Sequence, residues 1–308
     1  MANQPLIKGQ KTLNTYSRDS LIEIWGQSLT MGKVSEPREA VLLELSEYFK
    51  ISIEEAKEKC LHWKEYSAQE WNSGDRTTPE GLQDFYNNQT SWIFDTMWYH
   101  AAQYYGEMPA ESVEIALGLG HIYPGKHLDF GAGPGSSSLF FYKLGWEVYQ
   151  ADISHTMQEF AKWRLNRHNV KATFYDTSRE QLPDQTFDLI TAFDVMVHIP
   201  NAVDTIRSLA QALQPGGYLV FNIDNQPLTP EIRSYLAHFY DQQYPILKHV
   251  RRLGFRKCAK ISYFHVYQRV NRGKVRTKFL GTYDILRYNK YVNVVTTLAR
   301  MVLRRLRH

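Results

Sequence analysis

The chain has 308 residues, 43% of them hydrophobic, so it can bury the core of one large or two modest domains. No run approaches the ~18 apolar residues of a membrane-spanning helix, and the first residues lack the basic start and apolar stretch of a signal peptide, so we expect none. Two distant cysteines, Cys60 and Cys258, have no metal-binding spacing and favour a reducing, cytoplasmic compartment.

The formal net charge of +4 is unevenly distributed. Residues 251–308 contain 16 Lys and Arg and one acid, whereas the rest of the chain contains 20 Lys and Arg and 31 acids. Such a basic segment is most often a solvated surface. The alternative is that it binds an anionic partner or an anionic membrane surface. No RNA-binding module is recognisable, so no specific nucleic acid is expected.

Residues 1–121 show helical spacing of apolar residues and predict an all-helical cap that binds substrate. Ser52–Glu55 has the form of a capping box before a helix that continues through Trp63. The predicted helices begin near Pro37, Ser52, Thr78, Gln89 and Ala110. Five of the seven tryptophans lie in this part, either as its core or as walls of an acceptor pocket.

From residue 122 to 308 we predict a second domain, in which strands alternate with helices up to residue 223. This alternation is typical of a mostly parallel sheet with helices on both faces. The predicted strands are 126–130, 146–152, 171–176, 187–194 and 218–223, and the predicted helices are 136–144, 156–168 and 200–213. Further on, we expect a helix over 229–253, β-rich runs at 257–270 and 274–283 that form an antiparallel sheet edge, and an amphipathic helix over 288–306.

The most informative segment is Leu128–Gly135, in which glycines alternate after a short buried strand and before a helix. Such a loop turns sharply and lets a ligand approach the free N–H groups of the helix. A dinucleotide fingerprint has its third glycine where Ser136 stands here. Asp129 would repel a pyrophosphate and favour a cationic ligand, and Asp152, at the tip of the second strand, is placed to accept from ribose hydroxyls.

These motifs, together with 151–154, 187–199 and 213–220, resemble in order and spacing those of class I S-adenosylmethionine-dependent methyltransferases. The resemblance covers about a third of the chain and implies a Rossmann-like seven-stranded sheet, an enzyme, and S-adenosylmethionine as cofactor. It also implies that Asp129 lies near the cofactor's ammonium group and that Ile153 packs on the adenine. The implied cofactor-binding residues are Asp129, Gly131, Gly133, Gly135, Asp152, Ile153, Asp176 and Asp194.

The segment Phe193–Pro200 faces the transferred methyl group in this family, where many relatives have Glu at the position of Val197. His198 is therefore a candidate general base, and its alternative is a role in loop structure or in cofactor contact. If His198 takes a proton from the acceptor, its replacement by alanine lowers turnover by ~10²-fold or more, the range attributed to general bases. A base from the cap, such as Tyr99 or His100, is the other possibility.

Other chemistries find little support in the sequence. No cluster of His, Cys and Asp has metal spacing, and neither a phosphate-binding Gly-Lys-Ser/Thr loop nor a Gly-x-Ser-x-Gly elbow occurs. We therefore predict methylation of a small or medium-sized metabolite, most simply at oxygen and including secondary-metabolite tailoring. The alternatives are an RNA methyltransferase that uses the basic C-terminal region and a non-enzymatic scaffold that binds the cofactor.

Overall fold

A computed structural model describes residues 12–30, 34–74, 78–199, 201–223, 246–247 and 249–270. Its centre is a seven-stranded sheet in the order β3-β2-β1-β4-β5-β7-β6. Strands β1 to β5 pair in parallel, and β7 runs antiparallel between β5 and β6. The strands are β1 (Lys126–Phe130), β2 (Glu147–Asp152), β3 (Thr173–Asp176), β4 (Phe187–Ala192), β5 (Leu213–Asn222), β6 (Phe255–Ile261) and β7 (Phe264–Arg269). The predicted fold class, with its antiparallel edge, is confirmed.

Ten α-helices have described bounds, and seven of them come before β1. Those seven are α1 (Arg18–Leu29), α2 (Pro37–Phe49), α3 (Ile53–Leu61), α4 (Trp63–Ser73), α5 (Pro79–Asn88), α6 (Ser91–Tyr104) and α7 (Glu111–Gly118). The other three are α8 (Ser136–Lys143), α9 (His155–Arg167) and α10 (Ala202–Ala212). The described helices are too short or too polar to cross a membrane.

Local signals explain where several helices begin. The Ser52 hydroxyl accepts from the Glu55 N–H, and the Thr78 hydroxyl accepts from the Gly81 N–H, so both predicted N-caps form. The helix predicted to pass through Trp63 is instead two helices, because α3 ends at Leu61 and α4 begins at Trp63. His62 between them has non-helical backbone angles, a change that the apolar spacing alone did not reveal.

The apolar core has separate parts, and two of them include N-terminal helices. Leu21 and Trp25 of α1 and Val113 of α7 pack with Phe140 of α8 and with the sheet. The buried residues of α2, α3 and α6 instead pack with Phe160 of α9. The domain boundary predicted at residue 121 stays a prediction, and one of these cores runs across it.

The antiparallel edge forms within the first of the two predicted β-rich runs, and its register was not predicted. The run expected as one strand, 257–270, contains both β6 and β7, with the turn at Ser262 and Tyr263. Ser262 has φ 52°, a left-handed conformation that serine rarely adopts. The sequence has no glycine at this turn, so it gave no signal that the strand ends here. The strand expected over 274–283, the helix over 288–306 and most of the helix over 229–253 lie outside the described residues.

A buried arginine ties the N-terminal helices to the glycine loop. The fully buried guanidinium of Arg164, on α9, donates to Glu44 Oε2 at 2.7 Å and to Ser136 Oγ at 2.8 Å. It also donates to the main-chain carbonyls of Pro134 at 3.1 Å and Ser28 at 3.3 Å. A charge removed from water requires such partners, so α1, α2, α9 and the loop meet at one point.

The Arg164→Leu variant tests this junction. It leaves the Glu44 carboxylate buried without the guanidinium, and breaking one side of a buried pair costs about 3–5 kcal/mol. We expect the free energy of unfolding, measured by urea denaturation at pH 7, to fall by that amount. The control Arg207→Leu removes an exposed ion pair with Asp204 and should unfold like the wild type. Equal stability of the two variants would contradict the role of Arg164.

Candidate cofactor and acceptor site

A cavity of about 1230 Å³ opens at the carboxyl ends of β1, β2 and β4. Strand order reverses between β1 and β4, and the loops that follow these strands diverge there, as in other open α/β sheets. One side of the cavity is the glycine loop, and the other side is formed by α5 and α6. The aromatic residues of its lining are Trp71, Tyr86, Trp92, Tyr99, Phe130 and Phe193. Trp71 and Trp92 thus belong to the wall, whereas Trp25 is buried in the core.

The glycine loop leaves space for a ligand. Gly131 has φ 68°, and a Cβ there would lie 2.1 Å from the Val195 side chain, so no other residue fits. Gly133 has φ 53°, and its Cβ would meet no protein atom within 4 Å. Gly135, with φ 77°, is the N-cap of α8. Gly131 and Gly133 line the cavity, so the loop exposes its backbone to whatever binds there.

Asp129 is the most buried acid of the cavity wall. Its carboxylate accepts from Thr191 Oγ1 at 3.0 Å and from Ser138 Oγ at 3.1 Å. Burial, with a smaller contribution from the nearby Asp152, raises the pKa of Asp129 to about 7 in spite of these two hydrogen bonds. A cation bound beside it would favour the ionised carboxylate.

Asp152 ends β2 and connects the glycine loop to the next loop. Oδ2 accepts from the Gly133 N–H at 3.0 Å and Oδ1 from the Ser154 N–H at 2.9 Å. Burial raises the pKa of this carboxyl, and the hydrogen bonds from the backbone oppose that rise. The side chain of Ile153 lines the cavity with 38% of its surface exposed, as an apolar platform for a flat ring.

Asp176 ends β3, but it is not among the residues that line the cavity, whereas its neighbour Thr177 is. The Asp176 carboxylate accepts from the N–H and the hydroxyl of Ser178 and pairs with Arg179 at 3.4 Å. Its predicted contact with the cofactor therefore stays a prediction that needs a direct test.

The loop after β4 brings Asp194 and His198 to the same cavity. Asp194 has φ 53°, and its side chain accepts from the amide of Asn222, whose Oδ1 in turn accepts from the Asp194 N–H at 2.8 Å. The His198 ring lies 5.2 Å from the Trp92 ring, centre to centre, and the His198 carbonyl accepts from Tyr86 Oη at 3.4 Å.

Helix α5 touches the loops on both sides of the sheet's midpoint. Gln83 Nε2 donates to the Ile153 carbonyl at 3.2 Å, and Thr156 Oγ1 donates to the Asn87 carbonyl. The Tyr86 contact to the loop after β4 completes the set. These hydrogen bonds use main-chain carbonyls and position α5 above the cavity.

Two further acids, Asp95 and Glu111, line the cavity from the helical part, and the sequence did not single them out. Neither follows a strand end, and neither lies in a motif, so only their burial among aromatic side chains reveals them. Burial raises the pKa of Asp95 to about 7. With Asp129, Asp152 and Asp194 they make five carboxyl groups, and no Lys or Arg occurs among the described residues of the lining. The site therefore favours neutral or cationic ligands.

Comparison with known proteins places the chain among methyl-transferring enzymes. A family profile described as "Methyltransferase domain" matches residues 100–268. The ubiquinone biosynthesis O-methyltransferase of Shewanella pealeana is 24% identical over 179 residues, which cover 57% of this chain and 76% of that protein. The enzyme of the same name from Aliivibrio fischeri is 27% identical over 118 residues, 37% of this chain and 49% of that protein. This chain thus spans about half the length of that relative.

A similar solved structure is the magnesium protoporphyrin IX methyltransferase of Synechocystis with bound S-adenosylhomocysteine. It has a TM-score of 0.48 and 21% sequence identity, and the match covers 62% of this chain and 98% of that one.

S-adenosylmethionine, the cofactor that the sequence resemblance implies, fits the residues present. The space beside Gly133 accommodates a ligand, and the buried carboxylates complement the positive sulfonium and ammonium groups. Asp152 would hold the ribose hydroxyls, and Ile153 would pack on the adenine. Among the residues that the structure describes, no group of three or more His, Cys, Asp or Glu could hold a metal ion.

The two strand-end acids should differ in cofactor binding. Asp152→Ala removes a charged acceptor at the cavity and should weaken binding of S-adenosylhomocysteine by about 1.5–3 kcal/mol, measured by calorimetry. Asp176→Ala, the matched variant one strand away, should weaken it less, because its carboxylate already binds Ser178 and Arg179. An unchanged affinity in Asp152→Ala would remove that residue from the site.

The affinity for S-adenosylmethionine should rise with pH. In the free protein Asp129 is protonated below about pH 7, and a bound cation lowers its pKa, so binding at lower pH must release a proton. Affinity should rise by up to ~tenfold per pH unit up to about pH 7 and then level off. Calorimetry between pH 5.5 and 8 measures this slope. Asp129→Asn should flatten it, and an equally steep slope in that variant would assign the proton elsewhere.

Proposed function

Because this chain belongs to the class I S-adenosylmethionine-dependent methyltransferases, we propose that it methylates an oxygen atom of a small or medium-sized metabolite. The observation that carries the proposal is the cavity itself. Its glycine loop and strand-end acids form one wall, and the aromatic residues of α5 and α6 form the other. A concave pocket between two such walls suits a compact acceptor better than a polymer.

Three observations support the choice of acceptor. The rings of Trp71, Tyr86 and Trp92 offer flat apolar walls. The carboxyl groups of the lining disfavour an acceptor that carries phosphate or carboxylate groups. Two relatives at low identity are named O-methyltransferases, which supports oxygen as the atom methylated.

The protein's contribution to such a transfer is alignment and desolvation. S-adenosylmethionine supplies a methyl group that is already activated on a sulfonium. The glycine loop and Asp152 hold one reactant, and the aromatic walls hold the other and exclude water. Correct orientation of two reactants is worth up to about 7–11 kcal/mol of the barrier, so most of the acceleration needs no reactive side chain.

An acceptor hydroxyl must also lose its proton, and we propose His198 as one group that could receive it. Its ring lies against Trp92 in the wall beside Asp194, on the loop that faces the methyl group in the family.

We also propose a cytoplasmic location, since Cys60 and Cys258 are free thiols. An anionic partner of residues 251–308 stays a prediction, because most of that segment lies outside the described residues.

A screen with radiolabelled cofactor tests the proposed function. A metabolite extract is separated into neutral, cationic and anionic fractions and incubated with the protein, and the labelled products are analysed for methyl ethers by mass spectrometry. We expect label in the neutral or cationic fraction and little in the anionic fraction. Asp152→Ala, which is expected to bind the cofactor less tightly, is the control for transfer at this site. Label found mainly in added RNA, or only on nitrogen, would contradict the proposal.

A further inference from the structure

Glu111, the first residue of α7, is a buried carboxyl group whose hydrogen-bond donors are all neutral. It is 5% exposed and lines the cavity. Its Oε1 accepts from Tyr99 Oη and from Tyr263 Oη, each at 2.7 Å, and its Oε2 accepts from the side-chain amide of Gln103. The charged group that faces it is another acid, Asp194. Within the described part of the chain, no Lys, Arg or His forms an ion pair with Glu111.

A second buried glutamate shows how unusual this arrangement is. Glu44 is 3% exposed, but it pairs with Arg164 at 2.7 Å and with His168 at 2.9 Å. Burial raises the pKa of Glu44, and these two basic groups more than reverse the rise, so its pKa lies below the usual value. Glu44 is therefore a permanent anion that stabilises the fold, whereas Glu111 has no such counter-ion.

Glu111 can exchange a proton near neutral pH. Burial, reinforced by the neighbouring Asp194, raises its pKa to about 7 against the opposing hydrogen bonds from Tyr99 and Tyr263. A general base is most effective when its pKa lies near the working pH. A buried carboxyl group without a cation lowers the stability of the fold. A neutral side chain, such as glutamine, would make similar structural contacts without this cost.

Tyr99 connects Glu111 with the space in which an acceptor would bind. Its ring lines the cavity, and its hydroxyl donates to Glu111. Burial and the Glu111 carboxylate both raise the pKa of Tyr99 well above that of a free tyrosine. Its phenol therefore stays neutral, and it can accept one proton as it gives up another.

Resting on the proposed function, we infer that Glu111 receives the proton of the acceptor hydroxyl through Tyr99 during methyl transfer. The acceptor oxygen bonds to the methyl carbon as the carbon–sulfur bond breaks, and the electron pair of that bond stays on sulfur. The hydroxyl proton moves to Tyr99 Oη, and the phenol proton of Tyr99 moves to Glu111 Oε1. The products are the methyl ether, S-adenosylhomocysteine and a neutral Glu111 carboxyl group, which returns its proton to solvent.

This route differs from a proton transfer to His198, and the pH dependence of turnover separates the two. Catechol is the neutral hydroxyl probe, with labelled S-adenosylmethionine, and kcat is measured from pH 5.5 to 9. The wild type should gain activity through about pH 7 as Glu111 ionises and then level off. Glu111→Gln and Tyr99→Phe should lose ~10²-fold or more of kcat on the plateau, and Glu111→Gln should also lose the rise near pH 7. His198→Ala should keep that rise.

Two controls separate chemistry from folding. Tyr66→Phe removes the hydroxyl through which the half-buried Tyr66 of α4 donates to Glu58 of α3, away from the cavity, and it should leave turnover and its pH dependence unchanged. Calorimetry with S-adenosylhomocysteine should give all variants near-normal affinity. Infrared difference spectra of that complex should show a carboxyl band that titrates near pH 7 and is missing in Glu111→Gln.

The outcomes are distinct. If the wild type methylates catechol and Glu111→Gln does so with the same kcat and pH profile, the proposed role of Glu111 is wrong. It is also wrong if the infrared spectra show no carboxyl band near pH 7 that Glu111→Gln removes. Loss of the rise near pH 7 in His198→Ala alone would assign the proton to His198. If the wild type methylates benzylamine but neither catechol nor other hydroxyl probes, the proposed oxygen acceptor fails, and this inference fails with it.

Discussion

The buried guanidinium of Arg164 is the constraint on which the rest of the structure depends. A fully desolvated charge must be satisfied on all sides, and here its partners come from three separate parts of the chain. One is the Glu44 carboxylate of α2, another is the Ser28 carbonyl of α1, and the third is the Pro134 carbonyl of the glycine loop. Because these partners cannot move independently, α1 and α2 are held in register with the glycine loop, which forms one wall of the cavity. The buried residues of α2 pack in turn with those of α6, on the other wall.

The two walls of the cavity differ in composition. The sheet side is built from strand ends, where glycines expose backbone and where Asp129 and Asp152 complement positive charge. The helical side provides rings and two acids, Asp95 and Glu111, without neutralising cations in the described lining. The permanent ion pair of Glu44 lies outside the cavity lining, so charge that stabilises the fold is kept apart from charge that faces a ligand.

The sheet and the cofactor side could be predicted largely from the sequence, because both depend on local signals. Alternating glycines, an acid at each strand end and the strand-helix alternation all act over a few residues. The strands β1 to β4 begin and end within two residues of their predicted positions, whereas β5 begins at Leu213 and not at 218. Glu111 could not be found in this way, since its environment is assembled from α6, α7 and the β6–β7 turn. That turn was itself missed because Ser262 adopts a conformation usually left to glycine.

The hydrogen bonds that position α5 do not depend on which side chains the loops beneath it carry. Gln83 and Tyr86 donate to the carbonyl oxygens of Ile153 and His198, which every amino acid possesses. The side chains at those two loop positions face the cavity, yet the hydrogen bonds that hold the helix do not depend on them. Related chains can therefore exchange these side chains, and so change which acceptor they admit, while the helix keeps its place.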